Sequence, residues 1–286
     1  MNLIVGATGS LGGVIATRLL ERGSGVRALV REGSDFSDLN AAGADLVFGD
    51  LKDRASLTSA CQGVSRIVAT ATAAHRGGAD TTDTVDRIGY QNLVKTAEES
   101  DVGQFIFVSG HGFALDAGPG LSRAKAETEA ALRSSELNFT ILRPAFFMEA
   151  WISMVLGAQI QNGRRVVIVG DPDRPYGFVA ARNVADLALA TLGHSAANRS
   201  TIAWSAQSAS FRQIVEWIEL AIGDPLVIES IKPGEAVPGL PPIVNELWAY
   251  AATGGMEPIA TPDIAQQFNI RMVTPEEYVQ QAFSRL

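Results

Sequence analysis

Val5-Gly6-Ala7-Thr8-Gly9-Ser10-Leu11-Gly12 joins an apolar run, Leu3–Val5, to a stretch in which Leu11, Val14, Ile15 and Leu19 recur at helical spacing. Glycine is needed where a backbone turns tightly, where main-chain amides approach a ligand, and where a helix packs closely on a sheet. The helix that follows offers unpaired N–H groups and a partial positive charge at its start. In a chain with 28 glycines such a string arises easily by chance, so its place between strand and helix carries the meaning. It reads as a turn that holds a pyrophosphate; the alternative is a tight βα turn with no ligand.

Working outward, short apolar runs alternate with helical patterns through the first half of the chain. The strands are Leu3–Val5, Val26–Val30, Asp45–Phe48, Arg66–Ala69, Phe105–Val108 and Phe139–Leu142, with longer helices at Thr84–Ser100 and Ser122–Arg133. Such alternation implies right-handed crossovers and a doubly wound parallel sheet covered on both faces. The unbroken apolar run Ile106-Phe107-Val108 suits a strand buried on both sides. After about residue 145 the rhythm loosens. A helix at Glu149–Gln159, a strand at Val166–Val169, a Pro/Gly-rich turn at Gly170–Gly177 and a helix at Asn183–Leu192 are expected. A strand near Thr201–Trp204 and a helix at Phe211–Ile222 follow. Pro233, Pro238, Pro241, Pro242, Pro262 and Pro275 then cut the tail into short helices. The chain divides into a nucleotide-binding domain, 1–145, and a smaller, mixed substrate-binding cap, 146–286, part of which returns to the sheet. No Gly/Ser linker separates them.

The 286 residues are 47% hydrophobic and 19% charged, as in a globular α/β chain. The net charge of −8 is shared evenly between the halves, which leaves no basic footprint for nucleic acid. A single cysteine, Cys61, excludes an intrachain disulfide, and three histidines without ligand spacing give no support for a metal site. No run reaches 18 apolar residues, and the first strand opens the sequence with no leader pattern ahead of it. A cytoplasmic location without membrane contact is the expectation. Oligomeric state is not legible.

The end of the second strand reads the adenosine ribose in folds of this type. An acidic residue there accepts from a 2′-hydroxyl, whereas an arginine pairs with a 2′-phosphate. Val30 is followed by Arg31 and Glu32. The guanidinium fork of Arg31 suits a phosphate and favours NADP(H) over NAD(H); the alternatives are Glu32 as the ribose acceptor and Arg31 as ordinary surface charge.

Several segments resemble the atypical short-chain dehydrogenase/reductases of the NmrA-like group. They are the opening loop, Val26-Arg27-Ala28-Leu29-Val30-Arg31, Val47-Phe48-Gly49-Asp50-Leu51, Asn92-Leu93-Val94 and Phe105-Ile106-Phe107-Val108-Ser109. Leu142-Arg143-Pro144-Ala145-Phe146-Phe147-Met148-Glu149 and Val273-Thr274-Pro275-Glu276-Glu277-Tyr278 extend the match over most of the chain. The resemblance implies a Rossmann fold in which Thr8, Ser10 and Leu11 join Gly6, Gly9 and Gly12 at the pyrophosphate. Asp50 and Leu51 would flank the adenine. Ala69, Thr70 and Ala71 would run along the cofactor, and Pro144 to Phe147, Phe146 among them, would lie against the nicotinamide. The group contains NADPH-dependent quinone, azo-dye and triphenylmethane-dye reductases, and also NADP-sensing regulators.

Short-chain reductases use Ser, Tyr and Lys, the last two as Tyr-x-x-x-Lys on one helix face, where the ammonium holds the nicotinamide ribose and acidifies the phenol. Lys125 and Ser109 match two of these; Leu121 stands where the tyrosine belongs. Reduction of a simple ketone needs a proton at a developing alkoxide, so loss of the phenol removes the general acid. A quinone or an extended conjugated acceptor spreads the charge and can be reduced by proximity to a cofactor. His111, two residues past Ser109, is the substitute acid. The plainer readings are a Lys125–Glu129 surface pair, a loop hydrogen bond for Ser109, and an exposed loop position for His111. His75 and Tyr176 are weaker pocket candidates, His194 a surface residue and Cys61 an inert one. Phe146, Phe147, Met148, Trp151 and Met154 form either an aromatic pocket wall or a packed helix face.

The expected function is hydride transfer from NADPH to a quinone-like or conjugated aromatic small molecule. The rivals are an NADP(H)-sensing regulator without turnover, and a reductase or isomerase of a phenolic or polyketide-like intermediate.

Overall fold

The computed structural model describes residues 1–74, 76–163, 165–259 and 264–284; His75 and Pro262 lie outside the described residues. The chain opens with β1 (Asn2–Val5), α1 (Ser10–Glu21), β2 (Val26–Val30), α2 (Ser37–Ala41), β3 (Asp45–Phe48), α3 (Arg54–Cys61) and β4 (Arg66–Ala69). A π-helical segment, Thr82–Gly89, runs into α4 (Tyr90–Glu99), followed by β5 (Gln104–Val108), α5 (Gly120–Ser134) and β6 (Phe139–Pro144). Then come β7 (Phe146–Phe147), a second π-helical segment (Glu149–Leu156), α6 (Gly157–Gln161), β8 (Arg165–Val169), β9 (Pro175–Val179) and α7 (Ala181–Thr191). The last elements are β10 (Ser200–Trp204), β11 (Gln207–Ser210), α8 (Phe211–Ile222), β12 (Val227–Ile231), α9 (Pro242–Tyr250), α10 (Ile264–Gln267) and α11 (Pro275–Phe283).

Among the described residues seven parallel strands form one sheet in the order β10-β6-β5-β4-β1-β2-β3. This is a doubly wound Rossmann sheet, and its order reverses between β1 and β4. Val5 pairs with Ala69 there, so the turns after both strands open into one crevice at the carboxyl ends. Burial on both faces explains the apolar strand sequences: Phe105, Ile106 and Phe107 of β5 are fully buried. Helices α1 and α7 pack together on one face, with Ile15, Leu19, Val184 and Leu187 in a single core cluster. On the other face Leu57, Leu93, Val94 and Leu132, from α3, α4 and α5, share a cluster with Leu3 and Phe105.

The second half does two jobs. Strand β10 joins the edge of the main sheet beside β6, in register Thr201 with Ile141. The remainder builds its own core around Phe146, Trp151, Phe178, Phe211 and Trp248. Four strands differ from the sequence expectation: β7 and β11 have no counterpart in it, and β9 and β12 stand where it placed no strand. The turn predicted for Gly170–Gly177 ends earlier, because β9 takes up Pro175, Tyr176 and Gly177 between β11 and β7. Pro175 is tolerated as the first residue of that strand. Strand β12 was not foreseen; it pairs in parallel with β8, and its sequence Val-Ile-Glu-Ser-Ile is too short and mixed to stand out. No helix among the described residues is long and apolar enough to cross a membrane.

Candidate functional site

The glycine turn is shaped by the lack of side chains. Gly6 has φ +94°, and a Cβ on it would lie 2.8 Å from the amide nitrogen of Ala71. A Cβ on Gly12 would lie 2.2 Å from the carbonyl oxygen of Gly6. The turn therefore sits directly on the loop after β4, and α1 starts against the turn. The Gly9 amide donates to the Gly6 carbonyl at 2.9 Å, and Gly9 caps α1 without a side chain of its own. The first amides of α1 have no partner among the described residues, the arrangement that helix starts offer to anions.

Beyond this turn a crevice of about 50 Å³ lies between the ends of β1, β2 and β3, lined by Thr8, Arg31, Asp50, Leu51, Thr72 and Arg76. Arg31 is ion-paired through Nη1 to Asp80 Oδ2, and Lys52 Nζ to Asp80 Oδ1. Arg76 Nη1 approaches the same carboxylate at 3.5 Å. The ammonium of Lys52 holds the Asp80 carboxyl below its usual range, and the carboxylate in turn raises the lysine.

On the other side the turn opens into a cavity of about 540 Å³, to which Gly6, Ala71, Thr72 and Arg76 also belong, so crevice and cavity adjoin across these residues. Lys125 lines this cavity but is only 6% exposed. Its Nζ donates to the Val108 carbonyl at 3.1 Å and lies 5.0 and 5.3 Å from the ring centroids of Phe107 and Tyr90. The surface-pair reading with Glu129 thus gives way to a buried ammonium whose pKa is lowered by desolvation against the pull of Asp86 and Glu129. Leu121, one turn before Lys125 on α5, lines the same cavity.

Glu129 is fully buried and serves other partners. It accepts from Ser109 Oγ at 2.6 Å, from Arg143 at 2.8 and 2.5 Å, and from Arg133 at 2.9 Å. Ser109 lines the cavity with its hydroxyl proton committed to that carboxylate. His111 lines it too, with Nε2 at 2.7 Å from the carbonyl oxygen of Glu257. A carbonyl only accepts, so Nε2 carries a proton and neutral His111 presents Nδ1 as an acceptor. Burial lowers the pKa of this imidazole.

The second half of the chain supplies the far wall. The rings of Phe146 and Trp151 stack at 4.2 Å, and Phe146 and Tyr176 at 5.3 Å. All three line the cavity while being almost wholly buried, so wall and packed core are the same residues. The Tyr176 hydroxyl has no hydrogen-bond partner among the described residues, and burial pushes its pKa up to about 12.

Of the expected site residues, Gly6, Gly9, Ser10, Leu11, Gly12, Thr70 and Ala71 border the cavity, as do Pro144, Phe146 and Phe147; Thr8, Arg31, Asp50 and Leu51 border the crevice. Ala69 and Met148 border neither: Ala69 is buried within the sheet, and Met148 in the cap core. His194 is exposed, and Cys61 is buried with a thiol raised to about 11. Phe113, Leu247, Met256 and Glu257 also line the cavity and were not anticipated. No local pattern marks them, since the last three reach the site from more than a hundred residues beyond β6.

Residues 6–195 match a family of NAD(P)H-binding proteins. An NAD(P)H azoreductase from Xenophilus azovorans is 26% identical over 264 residues, 88% of this chain and 87% of the relative. A photosystem II assembly factor from Trieres chinensis is 27% identical over 190 residues, 66% of this chain but 59% of that protein. Triphenylmethane reductase from Citrobacter sp., complexed with NADP(H), superposes with a TM-score of 0.80 at 23% identity, over 99% of this chain and 100% of the other. NADPH-dependent quinone oxidoreductase from Escherichia coli, complexed with NADPH, gives 0.81 at 20% identity with the same coverage. These likenesses establish the fold.

Proposed function

Because the chain belongs to the NAD(P)H-binding family, we propose that it is an NADPH-dependent reductase of a quinone-like or conjugated aromatic small molecule. The observation that carries this reading is that the two spaces adjoin and share Gly6, Ala71, Thr72 and Arg76 in their walls. A glycine cradle and a cationic crevice border the cavity that Phe146, Trp151 and Tyr176 face. Residues 1–145 would form the nucleotide-binding domain and 146–286 the substrate-binding cap.

When bound, the reduced nicotinamide supplies a hydride. The chain's own contribution is placement. The amides at the start of α1 receive the pyrophosphate, Arg31 the ribose phosphate, and Lys125 the hydroxyls of the nicotinamide ribose. Pro144 and Phe146 confine the ring. The stacked aromatic wall holds a flat acceptor parallel to it and keeps water from the reacting face.

With Leu121 in place of a phenol, the best acceptors are those that spread the incoming charge. His111 is the candidate proton donor, acting through Nδ1 of the imidazolium while Nε2 stays on the Glu257 carbonyl. Ser109 offers the cavity an acceptor oxygen, its O–H being donated in a hydrogen bond to Glu129.

NADPH and NADH oxidation followed at 340 nm, with quinones, azo dyes and triphenylmethane dyes as acceptors, tests the proposal. The expected result is turnover with NADPH preferred, and loss of the preference in Arg31→Ala. Tight NADPH binding without turnover on any acceptor would favour a nucleotide sensor; the likeness to a photosystem II assembly factor leaves a role without turnover open.

A further inference from the structure

Three cations meet at one carboxylate beside the crevice. Arg31 comes from the end of β2, Lys52 from the loop after β3, and Arg76 from the loop after β4; all three bear on Asp80. These are three different strand ends of a parallel sheet, so the convergence is a product of the fold. Asp80 is 15% exposed and lies in the same loop as Arg76. Lys52 is shared with Asp50 at 3.6 Å, which leaves the group with one more positive than negative charge. Arg31, Arg76 and Asp50 also line the crevice itself. A guanidinium and an ammonium that converge on one carboxylate group are arranged as they would be around a phosphate monoester, whose oxygens and double charge match them better.

We propose that Asp80 is an internal stand-in for the 2′-phosphate of the nucleotide's ribose, closing the 76–80 loop over the crevice and competing with that phosphate for Arg31, Lys52 and Arg76. The inference rests on the NADPH reading and adds a residue that sets its strength. A nucleotide with a 2′-phosphate must break the Arg31–Asp80 and Lys52–Asp80 pairs and then sit beside the displaced carboxylate. A nucleotide with a free 2′-hydroxyl meets no such repulsion. Asp80 thus holds down affinity for the phosphorylated nucleotide selectively and keeps the cations ordered while the crevice is free.

The test is the dissociation constant of NADPH and of NADH for the wild type, Asp80→Asn and Asp80→Glu, read from nicotinamide fluorescence at low ionic strength. Asp80→Asn should bind NADPH about tenfold more tightly, with NADH changed less than about twofold, and Asp80→Glu should resemble the wild type. The gain should shrink in about 0.5 M salt, where the charges are screened. Thermal unfolding midpoints for each variant establish that the fold is kept. NADPH binding that weakens or stays unchanged in Asp80→Asn, while the wild type prefers NADPH, overturns the inference and leaves the cofactor reading standing. A wild type that prefers NADH overturns both.

Discussion

The Ser109 hydroxyl donates to the Glu129 carboxylate at 2.6 Å, and the same carboxylate takes Arg143 through both oxygens, at 2.8 and 2.5 Å. A residue at the end of β5 is thereby tied to α5 and to β6 through a fully buried charge. Removing the carboxylate strands Arg143. Glu129→Ala should therefore cost about 3–5 kcal/mol in urea unfolding, and Glu129→Gln, which keeps acceptor and shape, clearly less. Ser109→Ala should cost only about 1 kcal/mol. Equal losses in all three variants would mean that the network does not act as a buried ion pair.

Gly12 has no space for a methyl group, since its Cβ would lie 2.2 Å from the Gly6 carbonyl oxygen. Gly12→Ala must push α1 away from the turn and misplace the amides at its start. NADPH affinity should fall by at least about tenfold, the size expected when charge-assisted hydrogen bonds are lost. Gly120→Ala, at the first residue of α5 where a Cβ would meet nothing within 4 Å, controls for the general effect of substituting a helical glycine. Titration by fluorescence distinguishes the two.

Leu121 lines the cavity four residues before the buried Lys125. Leu121→Tyr puts a phenol at the spacing that simple carbonyl reduction uses. NADPH-dependent turnover of a small ketone should rise by about a hundredfold, at the low end of what a placed general acid contributes. Turnover of quinones should change little. An unchanged ketone rate in a folded variant would show that the Lys125 ammonium is held too far back against Val108 to serve such a phenol.

The imidazole of His111 carries a pKa below its ordinary value of 6.5 because burial penalises the charged ring. Neutral His111 therefore stabilises the fold above pH 6.5, and that stabilisation is lost as pH falls through the lower folded-state value. Turnover should move the opposite way if the imidazolium delivers the proton, rising below pH 6.5 while stability declines. Both dependences should flatten in His111→Gln. A pH-independent rate in the wild type would remove His111 from proton transfer.

The strand–turn–helix opening was legible because its signals are local. Apolar run, glycines and helical stripe fall within about twenty residues, and strands β1 to β6 could be located from similar runs. The cap was less legible. Strands β9 and β12 depend on partners far along the chain, and Tyr176 and Gly177 look like turn residues until β7 and β11 are placed beside them. Lys125 was identified by spacing, but its burial against Tyr90 and Phe107 was not, because those rings arrive from α4 and β5.

By itself, then, the sequence determined the order of strands β1 to β6 and the places where only glycine fits, since periodicity and turn chemistry are written into neighbouring residues. Tertiary structure decided what each polar group does. It gave the Ser109 proton to Glu129, the His111 Nε2 to Glu257, and Arg31 to Asp80. Those partners lie 20, 146 and 49 residues away: Ser109, His111 and Arg31 stand just past the carboxyl ends of β5 and β2, where helix α5, the segment after α9 and the loop after β4 reach them.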